Sequence, residues 1–445
     1  MRLHALARLA TIVLAALAVG RPVVASAPPE IGILDLVEME LGHTSIAEHY
    51  DEPIALQRLL DGARTGLIAY LRGRGIADPQ VAAMRARPDG RGAVPAIERQ
   101  IGLAVQRYGG RVVPRDLVYA ALRGELGALH DRYSVLFTAA ELKRFSSFVD
   151  GSAFGGVGIV LALDDATKVW TADAIFPRSP AERAGIHAGD RIAEIDGMPM
   201  TGVPNERITA LLRGKAGTVV RVSIVRDGVP LPQPLAVVRA TITPPDVTAR
   251  LLPHDVGYVA LHGFPLDAAA QVRAAMTGLA ARGARAYAFD LRDNGGGYES
   301  AAVHVASVFV ASGPVVSIEE RRGKRHVTPA DGNALPAAPL VVLVNGNSAS
   351  GAELVAAAIR DRGRGRLVGA TTFGKGLVQT MFPLPDGAAI KLTTARYFTP
   401  AGRFIDRVGI VPDVVVAQPP GAVTGDPGRD AQLDAALALL AGSLT

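Results

Sequence analysis

Three short segments hold the residues best suited to breaking a bond. The first is Asn345-Gly346-Asn347-Ser348-Ala349-Ser350-Gly351, which follows the apolar run Leu340–Val344 and leads into the helical stretch Ala352–Ile359. A Ser at the start of a helix faces free N–H groups and the positive end of the helix dipole, where developing negative charge is stabilised. Ser350 can therefore serve there as a nucleophile beside a ready oxyanion hole, or simply cap the helix. The second segment is Phe373-Gly374-Lys375-Gly376-Leu377-Val378-Gln379, whose Lys is one of six in a chain that otherwise draws its positive charge from Arg. Arg keeps its proton at any working pH, whereas a Lys desolvated among glycines and apolar groups can fall from ~10.4 towards ~7–8 and act as a base. Standing alone, it would read as an exposed turn residue. The third, Asp290-Leu291-Arg292-Asp293-Asn294-Gly295-Gly296-Gly297, is a strand end and glycine loop able to offer another backbone donor, or to be purely structural.

A fourth segment points to binding. Phe154-Gly155-Gly156-Val157-Gly158-Ile159-Val160 joins a glycine-rich turn to a strand, leaving several N–H groups without side-chain cover. Such a nest can hold a carboxylate, and the strand edge beside it can pair with an extended peptide.

The elements that must position these residues follow a clear order. Residues 28–150 read as helices, with Ile54, Leu56, Leu59, Leu60, Ala63, Leu67 and Ile68 at helical spacing and Asp51 as an expected cap. Further helical stretches are expected at Leu117–Leu129 and Ala139–Phe148, and a loop at Ala86–Gly92. From residue 151 to 241 the pattern changes to short apolar runs broken by Gly and Asp, a small β-rich domain. Residues 242–418 alternate β-like runs (Gly257–Leu261, Ala286–Leu291, Leu340–Val344) with helical ones (Ala268–Ala281, Glu299–Val310, Ala352–Ile359), which implies an α/β domain. Residues 419–445 read as a Pro/Gly-rich link and a last helix, Asp430–Leu440. A chain of 445 residues, 49% of them apolar, has room for these several cores.

Two resemblances sharpen the reading. Ser179-Pro180-Ala181-Glu182-Arg183-Ala184-Gly185-Ile186, then Ala188-Gly189-Asp190-Arg191-Ile192 and Glu194-Ile195-Asp196-Gly197, closely resemble a PDZ domain of the bacterial protease type. The resemblance implies that Gly156, Val157, Gly158 and Ile159 form a carboxylate-binding loop and first pocket for an apolar carboxyl terminus. The three chemistry-bearing segments together resemble the carboxyl-terminal processing (tail-specific) serine peptidases. That family carries a Glu three residues beyond the nucleophile, here Glu353, and a Lys 25 residues beyond it in a Phe-Gly-Lys-Gly setting, here Lys375. A Gln four residues further on orients the Lys in the family and corresponds to Gln379. The spacing selects Ser350 over Ser348, and the family's oxyanion donors fall on the N–H groups of Gly296 and Gly351. His130-Asp131-Arg132-Tyr133-Ser134, Arg396–Arg403 and Gly409–Asp413 extend the likeness. Where relatives have Ala-Ser after the nucleophile, this chain has Gly351-Ala352, which keeps the N–H and loosens the turn.

The implied architecture is an α+β / α/β multidomain chain: a helical amino-terminal region, a PDZ-like domain and an α/β Ser/Lys protease domain of the crotonase-like type. The implied activity is a serine endopeptidase that cuts exported proteins after its PDZ-like domain has taken their carboxyl-terminal tail, with or without an adaptor protein. The alternative is an inert PDZ scaffold that binds tails in the cell envelope.

Other classes have less behind them. With no Cys there is no disulfide or thiolate nucleophile. No Gly-x-Ser-x-Gly elbow or His-Glu-x-x-His helix is present, and neither a metal nor a cofactor is expected. The net charge of +5 is spread along the chain except for Arg321, Arg322, Lys324 and Arg325, read as a solvated hairpin turn; no nucleic acid is expected. Arg2 and Arg8 before the apolar run Leu9–Gly20, with small residues around Ala25–Ala27, read as an export signal over 1–27, the minority reading being an uncleaved anchor to the inner membrane. Periplasm or cell envelope is the expected compartment. The helices within Ile31–Arg111 serve equally as a packed cap or as a dimerisation arm, which would make a homo-oligomer.

Overall fold

The computed structural model describes residues 31–86, 92–149, 154–164, 167–176, 179–242, 245–419 and 422–444. The segment read as an export signal lies outside them, as does most of the loop read at 86–92. The chain forms two compact units, one ending at His130, the other holding Glu48–Pro53 and everything from Asp131 onward.

The first unit is helical, as its spacing foretells: α1 (Ile33–His49), α2 (Leu56–Gly73), α3 (Ala93–Tyr108) and α4 (Pro114–Ala128). Leu59, Leu60, Ala63 and Leu67 are fully buried, so the periodic stripe is the core stripe. Asp51 is not the cap of α2. Ala55 holds that position, and the Asp51 carboxylate instead meets Arg396 of the second unit's own β-sheet at 2.6 Å, because a charged donor outcompetes a frayed helix end. Helices α2 and α4 pack through small residues: a Cβ built on Gly66 would lie 1.9 Å from the Ala120 carbonyl oxygen, and one on Gly62 2.5 Å from that of Gly124.

In the second unit, β1 (Val135–Phe137) and α5 (Ala139–Val149) lead to a β-rich domain. Its strands are β2 (Phe154–Gly156), β3 (Ile159–Asp164), β4 (Val169–Ile175), β5 (Arg191–Ile195), β6 (Met198–Pro199), β7 (Val219–Arg226), β8 (Val229–Pro230), β9 (Leu235–Val238) and β10 (Ala240–Ile242), with the short helices α6 (Pro180–Arg183) and α7 (Asn205–Leu212). The main sheet runs β3-β4-β5-β7-β8, which leaves β3 at an edge. Ser179 caps α6, its hydroxyl accepting from Glu182 N at 3.2 Å ahead of a first-turn Pro, and buried Asp190 takes two 2.7 Å bonds from Arg226. Those two contacts explain the Ser-Pro-Ala and Gly-Asp signatures as turn-fixing devices.

The remainder is an α/β body. Strands β11 (Val247–Leu252), β12 (Val256–Leu261), β13 (Ala286–Asp290), β16 (Leu340–Val344), β17 (Arg366–Gly369) and β20 (Val414–Val415) form one six-stranded sheet in that order, parallel except for β11. Strands β12, β13 and β16 are buried at every residue, as parallel strands covered on both faces must be. On one face, Tyr287, Phe289, Val342 and Val344 pack with α8 (Ala268–Ala281), α9 (Glu299–Phe309) and α10 (Gly351–Asp361). On the other, Ala286, Ala288, Val341 and Leu343 meet Leu433, Ala436 and Leu440 of α11 (Ala431–Leu444). A second sheet joins β1 to β14 (Pro314–Glu320), β15 (Arg325–Pro329), β18 (Leu377–Pro383) and β19 (Ala389–Phe398). The basic cluster is the turn between β14 and β15, the hairpin expected of it.

The close crossing of α2 and α4 has a measurable consequence. Gly66→Ala should lower unfolding stability by about 3 kcal/mol, the upper end of ordinary overpacking costs, read as a shift in the urea midpoint followed by far-UV circular dichroism. An unchanged midpoint would mean that the two backbones are not in contact at Gly66.

Candidate active site

The carboxyl ends of parallel strands gather unpaired backbone groups and loop residues, so a site is expected there. The loops leaving β13, β16 and β17 meet at that edge. After β16, Asn345 to Ser350 makes a tight turn in which Ser348 is consumed structurally: its hydroxyl, fully buried, donates to Leu291 O at 2.8 Å and accepts from Asn345 N at 2.9 Å. Ser350, two residues on, caps α10 with φ 56° and ψ −114°, a conformation costly for a residue with a Cβ. Its side chain and that of Glu353 form a capping box at the start of α10. Tyr397 helps to hold the strained residue by donating its hydroxyl to Ser350 O at 3.3 Å.

Glu353 joins this turn to the lysine loop. One carboxylate oxygen accepts from Ser350 N at 2.9 Å and Lys375 N at 2.8 Å, the other from Gly374 N at 2.7 Å and the Thr372 hydroxyl at 2.6 Å. The side chain is fully buried. Glycine is required beside it, since a Cβ on Gly374 (φ 82°) would sit within about 3 Å of the backbone nitrogens of Arg407, Val408 and Gly409. The Lys375 ammonium lies 5.3 Å from the Tyr133 ring centre. Burial, with the positive charge of Lys391 as a second cause, holds the Lys375 pKa below its ordinary value, although Glu353 and Asp131 pull the other way. No hydrogen bond joins Lys375 Nζ to Ser350 Oγ among the described residues. Gln379 does not reach the lysine either; its amide donates to Leu377 O at 3.2 Å and Thr393 Oγ1 at 3.4 Å.

The glycine loop after β13 packs against the serine turn. Ala349 N donates to Asn294 O at 2.9 Å, and a Cβ on Gly296 would meet Ser350 Cβ at 2.8 Å. The Gly296 N–H is engaged in this conformation, donating to Asn294 Oδ1 at 2.9 Å. The Gly351 N–H has no acceptor among the described residues, so it stays available. A Cβ on Gly351 would come within 3.2 Å of Ala302 and 3.3 Å of Phe264, so the pocket fits Gly closely. In the β-rich domain, Gly156 closes β2 against β10, while the Val157 and Gly158 N–H groups meet no acceptor among the described residues and Ile159 opens the edge strand β3. Gly158 is tied there by φ 82° and by Ser179, whose Cβ an added methyl would approach to 2.4 Å.

Comparison with known proteins follows the same division. The model of peptidase family S41 matches residues 255–416 and that of the PDZ domain residues 151–225. A carboxyl-terminal-processing protease of Picosynechococcus sp. is 36% identical over 330 residues, 73% of this chain and 80% of that protein. This chain belongs to peptidase family S41. A second carboxyl-terminal-processing protease, from Synechocystis sp., is 35% identical over 336 residues, covering 74% of this chain and 78% of its own. The solved structure of a photosystem II D1 C-terminal processing protease matches with a TM-score of 0.51 at 29% identity, over 86% of this chain and 94% of the other. The protein is thus a serine-type peptidase with a PDZ domain, acting on protein or peptide substrates, and the inert-scaffold alternative is set aside.

Several residues of this S41 peptidase's site escaped the sequence reading. Lys391, on β19, lies with its ammonium 5.0 Å from the Phe145 ring and 5.5 Å from that of Phe137, and burial depresses its pKa. The scarcity of lysine that drew attention to Lys375 applied equally to Lys391. Tyr133 stands in the His130–Ser134 segment that extends the family likeness, but nothing there marked it as a neighbour of Lys375, and Thr372 carried no signal, because an isolated Thr is common in any segment.

Glu353→Gln keeps the shape but leaves one strong acceptor where four donors converge. It should destabilise the protein by roughly 2–4 kcal/mol, the cost of stranding buried donors of charge-assisted bonds, measured by chemical denaturation. A loss below ~0.5 kcal/mol, the scale of an ordinary surface substitution, would show that Glu353 does not organise these loops.

Proposed function

We propose that Ser350 is the nucleophile and Lys375 its general base. The observation that carries this reading is the shared Glu353 carboxylate, which ties the backbones of both residues to one point while Lys375 is desolvated. Neutral Lys375 takes the Ser350 proton as Oγ attacks a peptide carbonyl; the Gly351 N–H, and the Gly296 N–H once Asn294 releases it, hold the oxyanion. The Lys375 ammonium then protonates the leaving amine, and water hydrolyses the acyl-enzyme with Lys375 again as base. Gln379 steadies the ammonium after a change in its side-chain torsion.

The engaged Gly296 N–H, and the lack of a hydrogen bond between Ser350 and Lys375, support a resting conformation. A tail bound at Gly156–Ile159 would add as a strand beside β3 and shift the population towards the assembled site. The Asp173 carboxyl on β4 is raised by burial and by Asp293 of the oxyanion loop, which supports a PDZ domain set beside the catalytic loops. Proteins with apolar carboxyl-terminal residues are the expected substrates, with or without an adaptor. Export follows from the charge and hydropathy of residues 1–27; no helix among the described residues is long and apolar enough to cross a membrane.

The test uses an unfolded protein ending in apolar or in charged residues. The parent should cut the apolar-tailed form, and Ser350→Ala, Lys375→Ala and Lys375→Arg should each lose roughly three to six orders of magnitude in kcat while staying folded. Equal cutting by parent and variants would remove Ser350 and Lys375 from the mechanism.

The active form is the neutral lysine, so kcat/KM rises as pH climbs through the Lys375 pKa and falls below it. Lys391 lowers that pKa, so Lys391→Met should move the acid limb of the profile to higher pH. A limb that stays put or moves down would show that Lys391 does not act on the base.

A further inference from the structure

The matched S41 region ends at residue 416, yet a buried arginine within it is held in part by residues beyond it. Arg292, two residues before Asn294, is 6% exposed. Its Nε–H is shared by the two oxygens of Asp290 at 3.0 Å each. One terminal nitrogen donates to Asp290 Oδ2 at 2.6 Å and Asp430 Oδ2 at 2.7 Å; the other donates to Asp430 Oδ1 at 2.9 Å and Gln432 Oε1 at 3.1 Å. All five guanidinium N–H groups are therefore used, and a planar fork so satisfied has one orientation only. Tyr258 completes the set by donating to Asp290 Oδ2 at 2.8 Å.

Asp430 is itself fully buried. Its carboxylate accepts from Gly425 N at 2.6 Å, from Leu433 N at 3.1 Å and from the Gln418 amide at 3.0 Å. Capping α11 requires only an acceptor at this position. Binding Arg292 in two places uses the charge, and the strand end that Arg292 terminates leads directly into the loop carrying Gly296.

We propose that Asp430 is a positioning residue for catalysis, holding the oxyanion loop in register with Ser350 through Arg292, so that the carboxyl-terminal segment is part of the peptidase machinery. The proposal rests on the assignment of Ser350 as nucleophile. It predicts that the charge of Asp430, and not merely the folding of α11, sets the rate of the chemical step.

The experiment compares the full-length parent with Asp430→Asn, Gln432→Ala, Leu433→Ala and Ser350→Ala. Asn caps a helix about as well as Asp, so Asp430→Asn retains the cap and loses the charge. Leu433→Ala weakens the packing of α11 without touching Arg292. Three quantities are read: the unfolding midpoint, kcat and KM on the apolar-tailed substrate, and the rate at which a fluorophosphonate labels the active-site serine. Asp430→Asn should lower kcat and labelling rate together by roughly tenfold to a hundredfold, the cost of misplacing a group by about an ångström, with KM close to parental and the midpoint lowered, because Asn leaves buried donors of Arg292 and the backbone short of an acceptor. Gln432→Ala should cost about threefold, as befits one neutral acceptor. Leu433→Ala should lower the midpoint and keep kcat. Parental kcat in Asp430→Asn, or an equal kcat loss in Leu433→Ala, overturns the proposal. Should Asp430→Asn not fold, parental kcat and labelling in Gln432→Ala would overturn it as well. Labelling of Ser350→Ala at the parental rate would instead bring down the nucleophile assignment, and this inference with it.

Discussion

A single buried carboxylate makes two loops into one site. Glu353 has four acceptor positions, and the structure fills them with three backbone N–H groups and one hydroxyl drawn from the serine turn and the lysine loop. A charge buried without such partners would be prohibitively costly, so the carboxylate can be buried only if both loops come to it. The same contacts offset the strain at Ser350, whose positive φ would otherwise relax. Remove the carboxylate and the point that ties the backbones of residues 350 and 375 together is gone.

Desolvation is the second constraint. Lys375 and Lys391 share a region lined by Tyr133, Phe137 and Phe145, where cations are poorly solvated and repel each other. Both effects favour a neutral amine, which is what a lysine base requires. Aromatic faces keep the cost of the protonated state bearable through cation–π attraction, so the lysine can cycle between its two forms. Arg292 answers to the opposite logic: Asp290 and Asp430 raise its pKa well above an already high value, and it stays charged as a fixed strut.

Much of this architecture was legible along the chain because it is encoded locally. The wholly apolar runs at Gly257–Leu261, Ala286–Leu291 and Leu340–Val344 are strands of the parallel sheet, the helical spacing of Leu59, Leu60, Ala63 and Leu67 is the core face of α2, and the basic cluster at Arg321–Arg325 is a hairpin turn. Local encoding failed where a long-range partner intervened. Asp51 had the position and chemistry of a helix cap, but Arg396 took it. Gln379 and the Gly296 N–H, whose roles the family resemblance implies, are in this conformation each bonded to a near neighbour in the chain.

The sequence by itself determined the inventory: a serine turn ahead of a helix, one scarce lysine among glycines, a glycine loop after a strand, and a β-rich module that opens on a glycine-rich turn. Each depends on residues within a few positions of one another, and φ/ψ preferences and strand or helix periodicity act over that range. Tertiary structure alone decided how the parts are tied. The Ser348 hydroxyl is buried between Leu291 O and Asn345 N whereas Ser350 caps α10; Lys391 meets the Phe137 ring only when β19 is laid beside β1; and Asp430 reaches Arg292 across 138 residues. Spacing cannot report such pairs, because closing so long a loop is stabilised by the sum of the burial in two packed layers rather than by any local preference of the residues that meet.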